Sequence, residues 1–184
     1  MKWILGLGNP GSSYEKTRHN LGFRVVERLQ RELGAVPRGG SRLLRRYEAR
    51  AEGLSLLMPQ TLMNLSGTAL AEVRCAEALE PSDLLVVADD LYLPLGRTRL
   101  RDSGGTGGHR GLESVTQEMG TQEFARLRLG VGRPGDAGEY RDFVLDEFDE
   151  EEEPQVAEMV ERATEAALVW AREGLVAAMN RFNN

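Results

Sequence analysis

The sequence predicts an α/β fold: a single-domain three-layer sandwich over residues 1–184, with a mixed β-sheet and helices on both faces. Three observations carry this. Residues 3–7 and 84–88 are short, continuous apolar runs, the second β-branched at Val86 and Val87, which is how strands buried on both faces read. Helical stripes lie between such runs, for example Leu21, Val25, Val26, Leu29 and Leu33. One tight turn, Glu52-Gly53, joins two strand-like runs and adds a hairpin to the sheet.

The elements follow in order. Residues 2–7 form the first strand and residues 8–18 a loop, with a helix over 20–33 that Gly34 stops. Residues 37–42 read as a loop, and 43–51 with 54–58 as the hairpin, ended by Pro59. A helix over about 65–79 has Asn64 or Ser66 near its cap. Pro81-Ser-Asp83 is a turn, and residues 84–88 are a central strand with Asp89 at its C-terminal end. Residues 97–101 alternate, a strand with Arg97, Arg99 and Arg101 on one face. Residues 103–108 are Gly-rich, a helix opens near His109 or Arg110 and runs to about 119, and 125–131 is another strand. Residues 133–138 are a loop, and 140–145 fit either helix or strand. An acidic run, 146–153, precedes Pro154, and the final helix carries Val156, Met159, Val160, Ala163, Ala167 and Trp170 on one face. There is no internal repeat or low-complexity linker.

Composition narrows the function. No span is long and apolar enough to cross a membrane, and the N-terminal apolar run, broken by Gly6 and Gly8, is not a signal peptide. One cysteine, Cys75, allows no internal disulfide and suits a reducing compartment, so a cytoplasmic location is expected. With no nearby His, Cys75 reads as a small buried apolar residue. The net charge of −6 hides an asymmetry: residues 1–145 hold 20 Lys+Arg against 18 Asp+Glu, and residues 146–184 hold 3 against 11. A locally positive face can therefore coexist with an acidic total, and arginines suit bidentate phosphate contacts.

Gly6-x-Gly-x-x-Gly11 after a strand has the spacing of a dinucleotide fingerprint. That reading needs a helix opening at the glycines and a strand-end acid about 20 residues on. Residues 12–18 are unpatterned, and Glu27 and Glu32 fall in a helix, so no nucleotide cofactor is expected. His19, just before a helix, is a capping or surface histidine unless a carboxylate orients it. Asp89 at a strand end is the candidate, and Asp90 points to the opposite side by alternation. A His–Asp pair with no Ser or Cys nucleophile suits general-base hydrolysis by water. Asn9 and Asn64 suit a carbonyl or an oxyanion, or equally turn and cap chemistry. His109, after Gly104-Gly-Thr-Gly-Gly108, stands at a helix N-terminus where a phosphate is the natural guest. Arg97, Arg99, Arg101, Arg126, Arg128 and Arg133 can add phosphate contacts on that side. No short metal-ligand spacing is present, so no metal is expected.

Five stretches occur together: Gly6-Leu-Gly-Asn-Pro-Gly11 with Thr17-Arg-His-Asn20, Met63-Asn-Leu-Ser-Gly67, Asp89 in Val86-Val-Ala-Asp-Asp-Leu91, Gly104-Gly-Thr-Gly-Gly-His-Arg-Gly-Leu112, and Arg126-Leu-Arg-Leu-Gly-Val-Gly-Arg-Pro134. In this order and spacing the sequence resembles the bacterial peptidyl-tRNA hydrolases. The resemblance implies a cytoplasmic enzyme, without cofactor and monomeric, that hydrolyses the ester between a peptide and the 3′ end of tRNA. It would recycle tRNA from stalled translation. His19 would be the general base and Asp89 its orienting partner. Asn9 and Asn64 would hold the substrate backbone and the 3′ end, with Met63 packed beside them. Tyr14 matches a tyrosine of the family's loop, and His109 would bind water or tRNA. Arg110 departs from the family's usual Asn, and a charged contact to phosphate is expected there. Arg99, Arg101 and Arg133 would meet the acceptor stem. A non-catalytic RNA-binding or splicing-cofactor module is the alternative, and a general or metal-assisted esterase a third reading.

Overall fold

The computed structural model describes residues 1–134 and 140–183. The strands are β1 (Lys2–Gly6), β2 (Val36–Gly40), β3 (Leu44–Ala49), β4 (Leu54–Pro59), β5 (Leu84–Asp90), β6 (Thr98–Arg101) and β7 (Ala125–Gly130). The helices are α1 (Leu21–Glu32), α2 (Ser66–Glu77), α3 (Arg110–Met119), α4 (Tyr140–Leu145), α5 (Glu153–Glu173) and α6 (Leu175–Phe182). All strands join one sheet in the order β2-β3-β4-β1-β5-β7-β6. Its middle, β4-β1-β5-β7, is parallel, while β2-β3, β3-β4 and β6-β7 pair antiparallel.

Helices cover both faces, as the apolar runs require. Alternation along β5 sends Leu85 and Val87 into the core shared with α1, α5 and α6, and Leu84, Val86 and Ala88 into the core shared with α2 and α3. Each such side chain contributes about 1.5–3 kcal/mol when fully buried, so the doubly covered central strands dominate the fold's stability.

The first helix is seated by three glycines. A Cβ at Gly6 would lie 2.3 Å from the Gly22 carbonyl oxygen, and a Cβ at Gly22 would lie 2.4 Å from the Leu7 nitrogen. A Cβ at Gly8 would lie 2.6 Å from the Phe23 ring. The Gly-x-Gly spacing therefore serves close packing of α1 on the end of β1. No helix opens at those glycines. The 3-10 turn Arg18–Asn20 leads into α1 and is thereby held beside the C-terminal ends of β1 and β5.

Three expectations change, and one open reading is settled. Residues 37–40, read as part of a loop over 37–42, belong to β2, an edge strand with a register shift between Pro37 and Gly40. An outer edge with a bulge tolerates the Pro and the glycines that read as loop. Cys75 is exposed, not buried: α2 turns Ala69, Leu70 and Val73 to the core, and Cys75 falls on its outer side. The final helix stops at Glu173, where Gly174 takes φ +91°, and a second helix, α6, returns against β6. Residues 140–145 are helical. Of the loop read at 133–138, residues 135–138 lie outside the described residues.

Candidate active site

Three side chains meet at the C-terminal end of β5. His19 Nδ1 lies 2.8 Å from Asp89 Oδ1, and His109 Nε2 lies 2.9 Å from the same oxygen. The imidazole centroids are 4.8 Å apart. Asp89 is buried and His19 retains 13% side-chain exposure. Asp90 bonds neither imidazole, although it also lines the cavity over them. Its Oδ1 accepts the Tyr92 N–H at 2.8 Å, and it forms an ion pair with Arg128.

The hydrogen bonds assign the tautomers. His109 Nδ1 accepts the N–H groups of Gly111 (3.1 Å) and Leu112 (3.3 Å), capping α3, so its proton is on Nε2 and is donated to Asp89. His19 Nδ1–H donates to Asp89, which leaves the Nε2 lone pair of His19 free. The N-terminal amides of α3 expected to cradle a phosphate are thus partly engaged by His109. A Cβ at Gly111 would meet Met63 Sδ at 2.5 Å and the His109 ring at 3.0 Å, so that glycine admits both.

Electrostatics follow from the same contacts. Burial alone would depress the His19 pKa, but the charge of Asp89 and the hydrogen bond to it prevail and raise it above 6.5. Burial alone would raise the pKa of Asp89. Attraction and hydrogen bonds from the two imidazoles overcome this and hold its carboxyl well below the usual carboxylate range.

Asn9 is buried and rigidly framed. Asn20 grips its backbone from both sides, accepting the Asn9 N–H at 2.8 Å and donating Nδ2–H to the Asn9 carbonyl at 2.9 Å. Asn9 Oδ1 accepts the Met63 N–H at 2.8 Å, tying β1's loop to the turn after β4. Asn9 Nδ2 has no partner among the described residues. Asn64 is exposed in that turn, also without a hydrogen-bond partner among them. Tyr14 contributes its carbonyl, which accepts the Thr17 hydroxyl and N–H.

A cavity of about 320 Å³ opens over the triad, lined by His19, Asp89 and His109 and by Tyr92, Arg110 and Arg141. A second, of about 240 Å³, lies against Asn9 and is lined by Phe23, Met58, Gln60 and Arg45 among others. A larger groove of about 530 Å³ runs over α1 and α5 and includes neither histidine. His19, Asp89 and His109 are also the one metal-capable cluster found among the described residues, with donor atoms within 4.8 Å of one another. An ion there would have to replace both N–H···O bonds to Asp89.

The family model described as peptidyl-tRNA hydrolase matches residues 3–184. The chain belongs to the peptidyl-tRNA hydrolase family. It is 44% identical over 187 residues to the peptidyl-tRNA hydrolase of Brevibacillus brevis, covering 100% of this chain and 98% of that one. It is also 44% identical to that of Syntrophomonas wolfei, covering 100% of both. The crystal structure of peptidyl-tRNA hydrolase from Acinetobacter baumannii superposes with a TM-score of 0.93 at 32% identity, over 100% of this chain and 94% of that one.

Against the peptidyl-tRNA hydrolase pattern, the structure brings His19, Asp89 and His109 into contact, with Asn9 and Met63 bonded to each other nearby. Arg99 and Arg101 sit across β6–β7 from Arg128 and Arg126, on the face that carries α2 and α3. They do not line the 320 Å³ cavity. Arg126 is buried and donates to Gly105 O and Gln122 O at 3.0 Å each, so it braces the Gly-rich loop. Arg133 stacks over Tyr92 at 4.3 Å. Sequence reasoning missed the role of Asn20, Arg18, Tyr92 and Arg141. Asn20 and Arg18 lie inside the quoted motif around His19, so the motif itself was the available signal.

Proposed function

We propose that this chain hydrolyses the ester linking a peptide to the 3′ end of tRNA, in the cytoplasm and as a monomer, with His19 as general base. The free Nε2 of His19, opposite a nitrogen held by Asp89, carries this reading. His19 takes a proton from water, and the hydroxide attacks the ester carbonyl. Asn9 Nδ2, the unpartnered donor of a locked side chain, stabilises the oxyanion. Collapse breaks the C–O bond, and His19-H⁺ returns its proton to the departing 3′ oxygen. The products are a free peptide and deacylated tRNA. Asp89 orients the ring and balances its charge, and His109 holds the same carboxylate oxygen.

The two cavities flank this point. The one with Arg110 and Arg141, cations without ion-pair partners among the described residues, suits the phosphate of the terminal nucleotide, with its base against the Arg133–Tyr92 stack. The one at Asn9 suits the peptide. Asn64 stands exposed beside Met63 in the turn after β4. Release of N-blocked amino acid from tRNA, in the presence of a chelator, tests the proposal. Wild type should turn over with chelator present, and His19→Ala should lose about 10²–10⁴-fold, the usual worth of a positioned base. Equal rates for the two proteins would overturn the assignment, and loss of wild-type activity to the chelator would favour a metal at the triad.

A further inference from the structure

The geometry points to Arg18 as a positioning residue, a latch that joins the catalytic turn to the α4 wall of the cavity and holds His19 Nδ1 on Asp89. The inference rests on the hydrolase reading. Arg18 directly precedes His19, and its side chain is only 6% exposed. Its guanidinium lies 4.5 Å from the ring centre of Phe143 and 4.5 Å from that of Phe148. Phe143 belongs to α4, whose Tyr140, Arg141 and Val144 line the catalytic cavity. Nη2 donates to Glu152 Oε2 at 2.7 Å, and the Arg18 backbone N–H donates to Asp146 O at 3.0 Å. Thr17 forms an isolated bridge with Glu147. The acidic run 146–153, which composition left without a role, is thus the anchor of the segment that carries the base. Arg24 repeats the pattern one turn into α1, pairing with Glu153.

A burial this costly has a local purpose. Arg18 Nε and Nη1 are buried and without hydrogen-bond partners, so the guanidinium is not fully compensated. A packed apolar side chain would serve plain stability better. What the arginine adds is direction: a planar cation between two rings, with one carboxylate, admits a single orientation of residue 18. His19 is the next residue, and a displacement of about 1 Å at a reacting group can cost on the order of hundredfold in rate.

The groups that face His19 are Asp89 and His109, with Asp90, Arg110, Arg128 and Arg141 elsewhere on the cavity wall. Those that face Arg18 are Glu152 and, through Phe148, Arg24 with Glu153. Arg18→Met keeps the apolar stem and removes the donors. It should lower kcat ten- to hundredfold with KM changed less than about twofold. It should also shift the acid limb of kcat toward lower pH, because His19 slips from Asp89. Arg18→Lys should restore part of both. Phe143→Leu and Glu152→Gln test the two anchors separately and should move the limb the same way by less. A latch that is merely structural would lower the melting temperature and leave kcat per folded molecule and the limb unchanged. That outcome in Arg18→Met overturns the inference, as does an unmoved limb in both anchor variants should Arg18→Met fail to fold. Absence of turnover in wild type would instead count against the hydrolase reading itself.

Discussion

At the scale of single residues, one carboxylate oxygen decides the chemistry. Asp89 Oδ1 accepts from both imidazoles, so His19 cannot turn its other nitrogen inward without losing the bond. In the mechanism we propose, the neutral ring is the active form, and its pKa is raised. The acid limb of kcat/KM should therefore lie above pH 6.5, where an isolated imidazole would place it. Stability runs the other way. A group whose pKa is raised on folding contributes stability fully present below its unfolded value and lost as pH rises through the folded one. Wild type should thus lose a little melting temperature, relative to Asp89→Asn, as pH passes upward through that window. Paired rate and melting profiles check both signs, and a limb at or below pH 6.5 would contradict the Asp89 contact. His19 and Asp89 were legible in sequence because each sits at the end of an element whose periodicity is plain. Asn20 and Arg18 were not, because their partners, Asn9 and Glu152, lie 11 and 134 residues away in sequence.

At the scale of elements, the site depends on how closely α1 approaches β1. Gly22 meets Leu7 N, Leu7 O and Val87 O, all at 2.4–2.5 Å from where a Cβ would stand. These are backbone atoms, so no side-chain rotation relieves the clash. Gly22→Ala should destabilise by about 1–3 kcal/mol or more, as overpacking does. It should depress activity besides, because the turn bearing His19 moves with the helix. For a chain of this length each kcal/mol lowers the melting temperature by about 2–4 °C, and a scan of wild type and variant side by side measures it. An unchanged melting point would mean that α1 can retreat freely. The edge strand β2 shows the opposite limit of sequence reasoning. Pro37, Gly39 and Gly40 carry loop propensities, and only pairing with β3 makes them a strand.

At the scale of the molecule, some arginines are paired with acids and others are not. Two acids of the segment 146–153, Glu152 and Glu153, pair with Arg18 and Arg24 at the approach to the first helix and within it. Arg99 and Arg101 lie in β6 with no ion pair among the described residues. We propose that they meet phosphates of an acceptor stem. Each one replaced by Ala should weaken tRNA binding and reduce the steepness of its salt dependence by about one phosphate contact. Titration of deacylated tRNA across a salt series reads this directly, and an unchanged slope would remove β6 from the interface.

Sequence alone determined the α/β architecture, the central strands, the family and the pair of residues at the heart of the site. All of these are written in periodicity and in motifs short enough for neighbours along the chain to specify. Tertiary structure alone decided that His109 caps a helix and holds Asp89 instead of presenting a nitrogen to phosphate, that Cys75 faces outward, and that the acidic tail segment grips Arg18. Those outcomes depend on hydrogen bonds and packing between segments far apart in sequence, and no local pattern records which distant partner a side chain will meet.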